Sequence, residues 1–195
     1  MNNWNFLRTS SLWLRVASSS VATCAMVFSL AGCPKDPEIH TKPDTPGAPA
    51  MAMATIEARS NSTLSGSATF EQTGNKVKVT VEVSGATPGQ HGLHIHEKGD
   101  CSDPAAKSAG DHFNPGQSEH GSLEKPMHHA GDFGNLTVGE DGKGKLEVEI
   151  DTISLAPGPT AILNRAIVVH EKPDDTVTQP SGNSGARIGC GVIAP

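Results

Sequence analysis

The chain has 195 residues, 35% of them hydrophobic, and a formal charge of −6 at neutral pH. Its length suits one domain with a single core beside terminal segments, and we find no internal repeat. The acidic balance argues against nucleic acid as a partner, because such partners are held by clustered lysine and arginine.

In chain order, residues 1–15 carry Arg8 and Arg15 and no acid, and the uncharged VASSSVATCAMVFSLAG follows. A basic start, an apolar run and small residues form an export signal. The run ends in Leu30, Ala31, Gly32 and Cys33, which resembles a bacterial lipobox, so Cys33 is the expected lipidation site. Plain secretion is the alternative; the serine-interrupted run is short for a membrane span of about 20 residues. Removing residues 1–33 leaves 13 basic residues against 21 acidic ones, a charge of −8. Residues 34–52 begin with PKDPEIHTKPDTPGAPA, whose five prolines mark a tether. The domain is then expected over residues 53–195.

Within it, ATIEARS, GSATFEQ and KVKVTVEVS alternate β-branched and polar residues, and Thr73-Gly74-Asn75 reads as a hairpin turn. HGLHIHE, GNLTVG, GKLEVEI, AIVVH and RIGCGVI bring the count to eight. Without a helical period, this predicts an all-β fold, an eight-stranded antiparallel sandwich or barrel. Residues 98–133 and 171–186 read as two long loops, a length that usually serves function.

Those loops and their flanking strands hold unusual chemistry. His94 and His96 stand at alternate positions of a strand, so both imidazoles leave one face with Cα atoms roughly 6.5 Å apart and can aim at one ion. His112, His120, His128, His129 and Asp132 lie in the first loop, and His170 ends AIVVH. A histidine-rich surface loop that binds metal loosely is the plain alternative, but it leaves the strand positions of His94, His96 and His170 without a cause. Once the signal and Cys33 are set aside, two cysteines remain. An exported domain with two cysteines most simply forms one disulfide, with two buried thiols as the alternative.

HGLHIHEKGD, AGDHFNP, HHAGDFGN, AIVVHEKPDD and GNSGARIGCGVI, in this order, resemble the motifs of copper/zinc superoxide dismutases. The resemblance runs from about Thr55 to the C-terminus and implies a Greek-key β-sandwich or flattened barrel. It implies copper held by His94, His96, His112 and His170. It implies zinc held by His112, His120, His129 and Asp132, with His112 bridging both ions. His129 is preferred to His128 because it stands three residues before Asp132; His40 and His91 are not expected to be ligands. Asp174 would link His94 to His120. An all-imidazole site suits a metal that changes oxidation state, and three imidazoles with one carboxylate suit zinc.

Arg187 matches the family's channel arginine, which holds the incoming anion, and Cys190 matches its disulfide cysteine, with Cys101 as the implied partner. The resemblance makes superoxide the substrate, Arg187 and His112 the catalytic residues, and copper and zinc the cofactors. Lys98 and Lys172 are candidates for guiding the anion. Cys101 follows His96 by five residues and DDTVTQPSGNSGAR is short, both departures from the animal enzymes, so the dimer interface is altered and a homodimer is left open. A lipid at Cys33 would tether the exported protein to a membrane in the periplasm or cell envelope. A non-enzymatic copper or zinc carrier or storage lipoprotein of the same fold is the alternative function.

Overall fold

The computed structural model describes residues 50–195. The expectations for the export signal, Cys33 and residues 34–49 of the tether lie outside the described residues. Eight strands appear: β1 (Met51–Ala58), β2 (Ser65–Thr73), β3 (Lys76–Ser84), β4 (Gly89–His96), β5 (Asp132–Val138), β6 (Lys143–Ile150), β7 (Ala166–His170) and β8 (Arg187–Val192). β1 takes in Met51, two residues before the expected domain start.

Alternation builds the early strands. Val77, Val79, Val81 and Val83 are buried on β3 while Lys76, Lys78 and Glu82 face solvent, and Ala52, Ala54 and Ile56 do the same on β1. A two-residue turn joins β2 to β3, with Thr73 paired to Lys76. Gly74 enters it at φ 59°, a left-handed conformation that costs glycine little.

All neighbouring strands are antiparallel, in the order β1-β2-β3-β6-β5-β4-β7-β8, and β8 pairs back onto β1 to close a barrel. The β3–β4 and β6–β7 connections each pass over two strands, which gives the Greek-key order. Inside lie Ile56, Phe70, Leu93, Ile95, Leu136 and Ile167. Residues 151–165, to which the sequence reading assigned no element, add Ile153, Leu155 and Ile162 to this core.

β4 from His91 onward and all of β7 are buried on both faces. Leu93, Ile95, Ile167 and Val169 belong to the barrel core, whereas His94, His96 and His170 alternate with them. Val168 and Ala166 join Cys101, Ala106, Ala109 and Cys190 in a second, smaller cluster outside the barrel. The connection that forms this cover differs from the expected loop in two ways: it contains one turn of 3-10 helix, Lys107–Ala109, and its last two residues, Asp132 and Phe133, already belong to β5. His94 pairs with Asp132 across β4 and β5, which sets these two side chains' backbones in one register.

Candidate metal centre

Four imidazoles converge outside the barrel: His94 and His96 from β4, His170 from the end of β7, and His112 from the β4–β5 loop. Nε2–H of His94 donates to Oδ2 of Asp174 at 2.8 Å, and Nδ1–H of His96 donates to the Gly110 carbonyl at 2.9 Å. Nδ1 of His170 faces the Gly185 carbonyl at 3.4 Å. With those nitrogens oriented, the Nε2 lone pairs of His96 and His170 face each other 3.4 Å apart. Two acceptors in that position repel unless a cation lies between them.

His112 joins this set to a second one. Its Nδ1 lies 3.0 Å from Oδ1 of Asp132, while its buried Nε2 has no hydrogen-bond partner among the described residues. His112, His120, His129 and Asp132 form the second group. Nδ1 of His129 is 3.3 Å from Oδ1 of Asp132, and Nδ1 of His120 is 3.1 Å from Oδ2. Both contacts are off the line a hydrogen bond needs, so the two nitrogens are buried and orphaned, as is Nδ1 of His94. Separations near 3 Å are those of neighbouring ligands around an ion bound at about 2.0–2.2 Å. The orphaned atoms and the donor chemistry therefore fit copper in the all-imidazole set and zinc in the mixed one.

Asp174 links the two sets, since its Oδ1 accepts from Nε2 of His120 at 2.9 Å and its Oδ2 from His94. Three residues that the sequence reading did not single out hold this link. Asn135 clamps the Asp174 backbone from both sides: its Nδ2 donates to the Asp174 carbonyl at 2.9 Å, and its Oδ1 accepts the Asp174 amide at 2.7 Å. Gln179 does the same for the His120 backbone, at 2.8 and 3.0 Å. Gly182, at φ 62°, lies so close that a Cβ there would stand 2.6 Å from Nε2 of His120. Asn135 ends the GDFGN motif, but its use depends on a contact 39 residues away.

Burial pushes His94 down to about 4 despite its bond to Asp174, and burial first takes His96 and His170 well below the ordinary histidine value, with the crowded neighbouring imidazoles opposing protonation in the same direction. His112 is lowered too, by burial first. These rings are neutral and free to ligate near pH 7. His120 behaves oppositely: burial alone would lower it, but Asp132 and Asp174 outweigh that and raise it to about 9. Burial works to raise Asp132 and Asp174 as well, yet the imidazoles packed against them prevail and hold both carboxyls well below the usual range.

The remaining expected residues take other partners. Cys101 and Cys190 form the disulfide. Arg187 is half-buried at the start of β8, and its Nη1 donates to the Ala106 carbonyl at 2.8 Å. Lys98 is exposed and lies 3.6 Å from Glu97; Lys172 is also exposed, against Gly185. His91 is buried with its ring nitrogens 2.8 Å from the carbonyls of His170 and Thr87, outside both ligand sets. His128 is half-buried, and its Nδ1 donates to the His129 carbonyl at 2.7 Å. Asp175 is exposed and caps Val177 and Thr178.

A family model described as copper/zinc superoxide dismutase matches residues 64–193. A solved structure described as the clock protein EA4 is 39% identical; the match covers 75% of this chain and 95% of that one, with a TM-score of 0.69.

Proposed function

Because this chain belongs to the copper/zinc superoxide dismutase family, we propose that it dismutates superoxide, two superoxide anions and two protons giving dioxygen and hydrogen peroxide. One observation carries this reading: four buried imidazoles converge on one point, and one of them, His112, also belongs to the second ligand set.

Copper, when bound, supplies the one-electron chemistry, and zinc supplies a fixed neighbouring charge. The chain's own residues do the rest. His94, His96 and His170 present neutral nitrogens whose direction is set by Asp174, Gly110 and Gly185. His112 keeps Nδ1 on the Asp132 side, so a proton can be held at Nε2 and passed to the departing peroxide. Arg187 offers an anion a permanent charge and several donors at once, with the Ala106 carbonyl occupying only one of them.

The rival reading is a non-enzymatic copper or zinc carrier or storage lipoprotein of the same fold; the similar structure described as a clock protein carries a description other than dismutase. A carrier has no need of a half-buried arginine beside the imidazole set. The test is dismutase activity measured beside metal content on purified protein loaded with copper and zinc. Activity that rises in proportion to bound copper supports the enzyme; full occupancy of both metals without activity supports the carrier.

The proposed location rests on the sequence. Cys33, after Leu-Ala-Gly, carries the lipid that tethers the domain to a membrane. Cys33→Ser is expected to leave the chain unprocessed or release it to the soluble fraction. Wild-type protein found soluble, cut elsewhere, would dismiss the anchor.

A further inference from the structure

The β1–β2 turn makes contacts that a simple reversal of the chain does not need. Ser60 and Asn61 adopt φ of 53° and 59°, and the Ser62 amide closes the turn on the Arg59 carbonyl at 3.0 Å. Two successive non-glycine residues in the left-handed region are unusual, and such backbone persists where surrounding contacts hold it.

Those contacts reach both sides of the channel arginine. Nε of Arg59 donates to the Cys101 carbonyl at 2.8 Å, with the Arg59 side chain only 16% exposed. The Ser60 amide donates to the Pro104 carbonyl at 2.8 Å, and Ser60 Oγ donates to the Arg187 carbonyl at 2.9 Å. Arg187 in turn rests its guanidinium on the Ala106 carbonyl, and Ala106 is itself left-handed at φ 54°. A closed ring results: Arg187 backbone, Ser60, Pro104, Ala106, Arg187 guanidinium. The Cys101–Cys190 bond fastens the same loop to the same strand from the other side.

We propose that Arg59 and Ser60 form a positioning strap for Arg187, a second fastening that keeps the guanidinium in place when the disulfide is open. The proposal rests on the reading of Arg187 as the anion-binding residue. Arg59 and Ser60 are positioning residues, since they hold the loop and the β8 backbone and not the anion.

The experiment uses the full chain loaded with copper and zinc, with azide as the probe anion and its dissociation constant read spectroscopically. Opening the disulfide by Cys101→Ser with Cys190→Ser is expected to weaken azide by at most about threefold, because the strap remains. Arg59→Ala with Ser60→Ala, which removes both side-chain bonds of the strap while the disulfide stays intact, is expected to change it equally little. The two together should weaken azide by about tenfold or more, the effect of losing one charged hydrogen bond. Azide affinity in the combined variant equal to that of the disulfide variant overturns the strap. Arg187→Ile is the separate arm: unchanged azide affinity there defeats the reading of Arg187 and the strap with it, whereas weakened azide there together with an unweakened combined variant defeats the strap alone.

Hydrogen exchange on the wild type, zinc-loaded and reduced with a phosphine, covers variants that fail to fold. The Ser60 amide is expected to stay protected by the Pro104 carbonyl after reduction. Exchange as fast as in unstructured chain overturns the proposal.

Discussion

His96→Ala is expected to reduce dismutation by more than about a hundredfold while zinc content stays near that of the wild type. Loss of an outer partner of a metal ligand already costs 10–100-fold, and His96 belongs to the imidazole set itself. His96 takes no part in the second group, whose members are His112, His120, His129 and Asp132. His129→Ala should act in the other order. Zinc occupancy and thermal stability fall first, because the substitution removes a ring whose Nδ1 lies 3.3 Å from the buried Asp132 carboxylate. Copper and zinc content, melting temperature and activity per bound copper, measured on both variants, separate the two roles. A His96→Ala protein with full activity per copper would remove the assignment, and so would copper found on ligands outside His94, His96, His112 and His170.

The strands were legible because alternation is local. In KVKVTVEVS the pattern of valine against charge is complete within nine residues, and the barrel buries the valines. The convergence of His94 and His96 was legible for a related reason, since strand parity alone places them together on the face opposite Leu93 and Ile95. The resemblance supplied what parity could not, the grouping of His112, His120 and His129 from a loop.

Contacts between distant segments with no periodic trace were not legible. Asn135 and Gln179 are ordinary amides in sequence, and their clamps exist only once β5 and the β7–β8 loop lie side by side. His91, which is not expected to be a ligand, is a buried brace on the carbonyls of Thr87 and His170, a use that no local pattern marks. Residues 151–165 carry Ile153, Leu155 and Ile162 without the alternation of a strand, so their burial could not be read from spacing. The Arg59 and Ser60 strap is of the same kind, because a turn's sequence does not say what its donors meet.

Gly182→Ala is expected to weaken both metals by about 10–100-fold, the range for disrupting partners of metal ligands. Gly182 touches neither ligand set through a side chain. It packs its bare Cα against the one carboxylate that orients His94 on one side and His120 on the other. A Cβ would stand 2.6 Å from both Cγ of Asp174 and Nε2 of His120, and neither is the free end of a flexible chain. Asp174 is clamped by Asn135 and accepts the Thr176 amide as well, so it cannot retreat without breaking those bonds. The left-handed φ of 62° adds a penalty for any side chain, and a control isolates that part. Gly74→Ala places the same change at φ 59° in the β2–β3 turn, where nothing lies within 4 Å of the new Cβ. It should cost about 1 kcal/mol of stability and leave metal affinity unchanged. Competition with chelators for copper and zinc, run on the two variants together, decides the matter. If Gly182→Ala holds both metals as tightly as Gly74→Ala does, then Asp174 tolerates displacement, and the link between the two sites does not depend on its position.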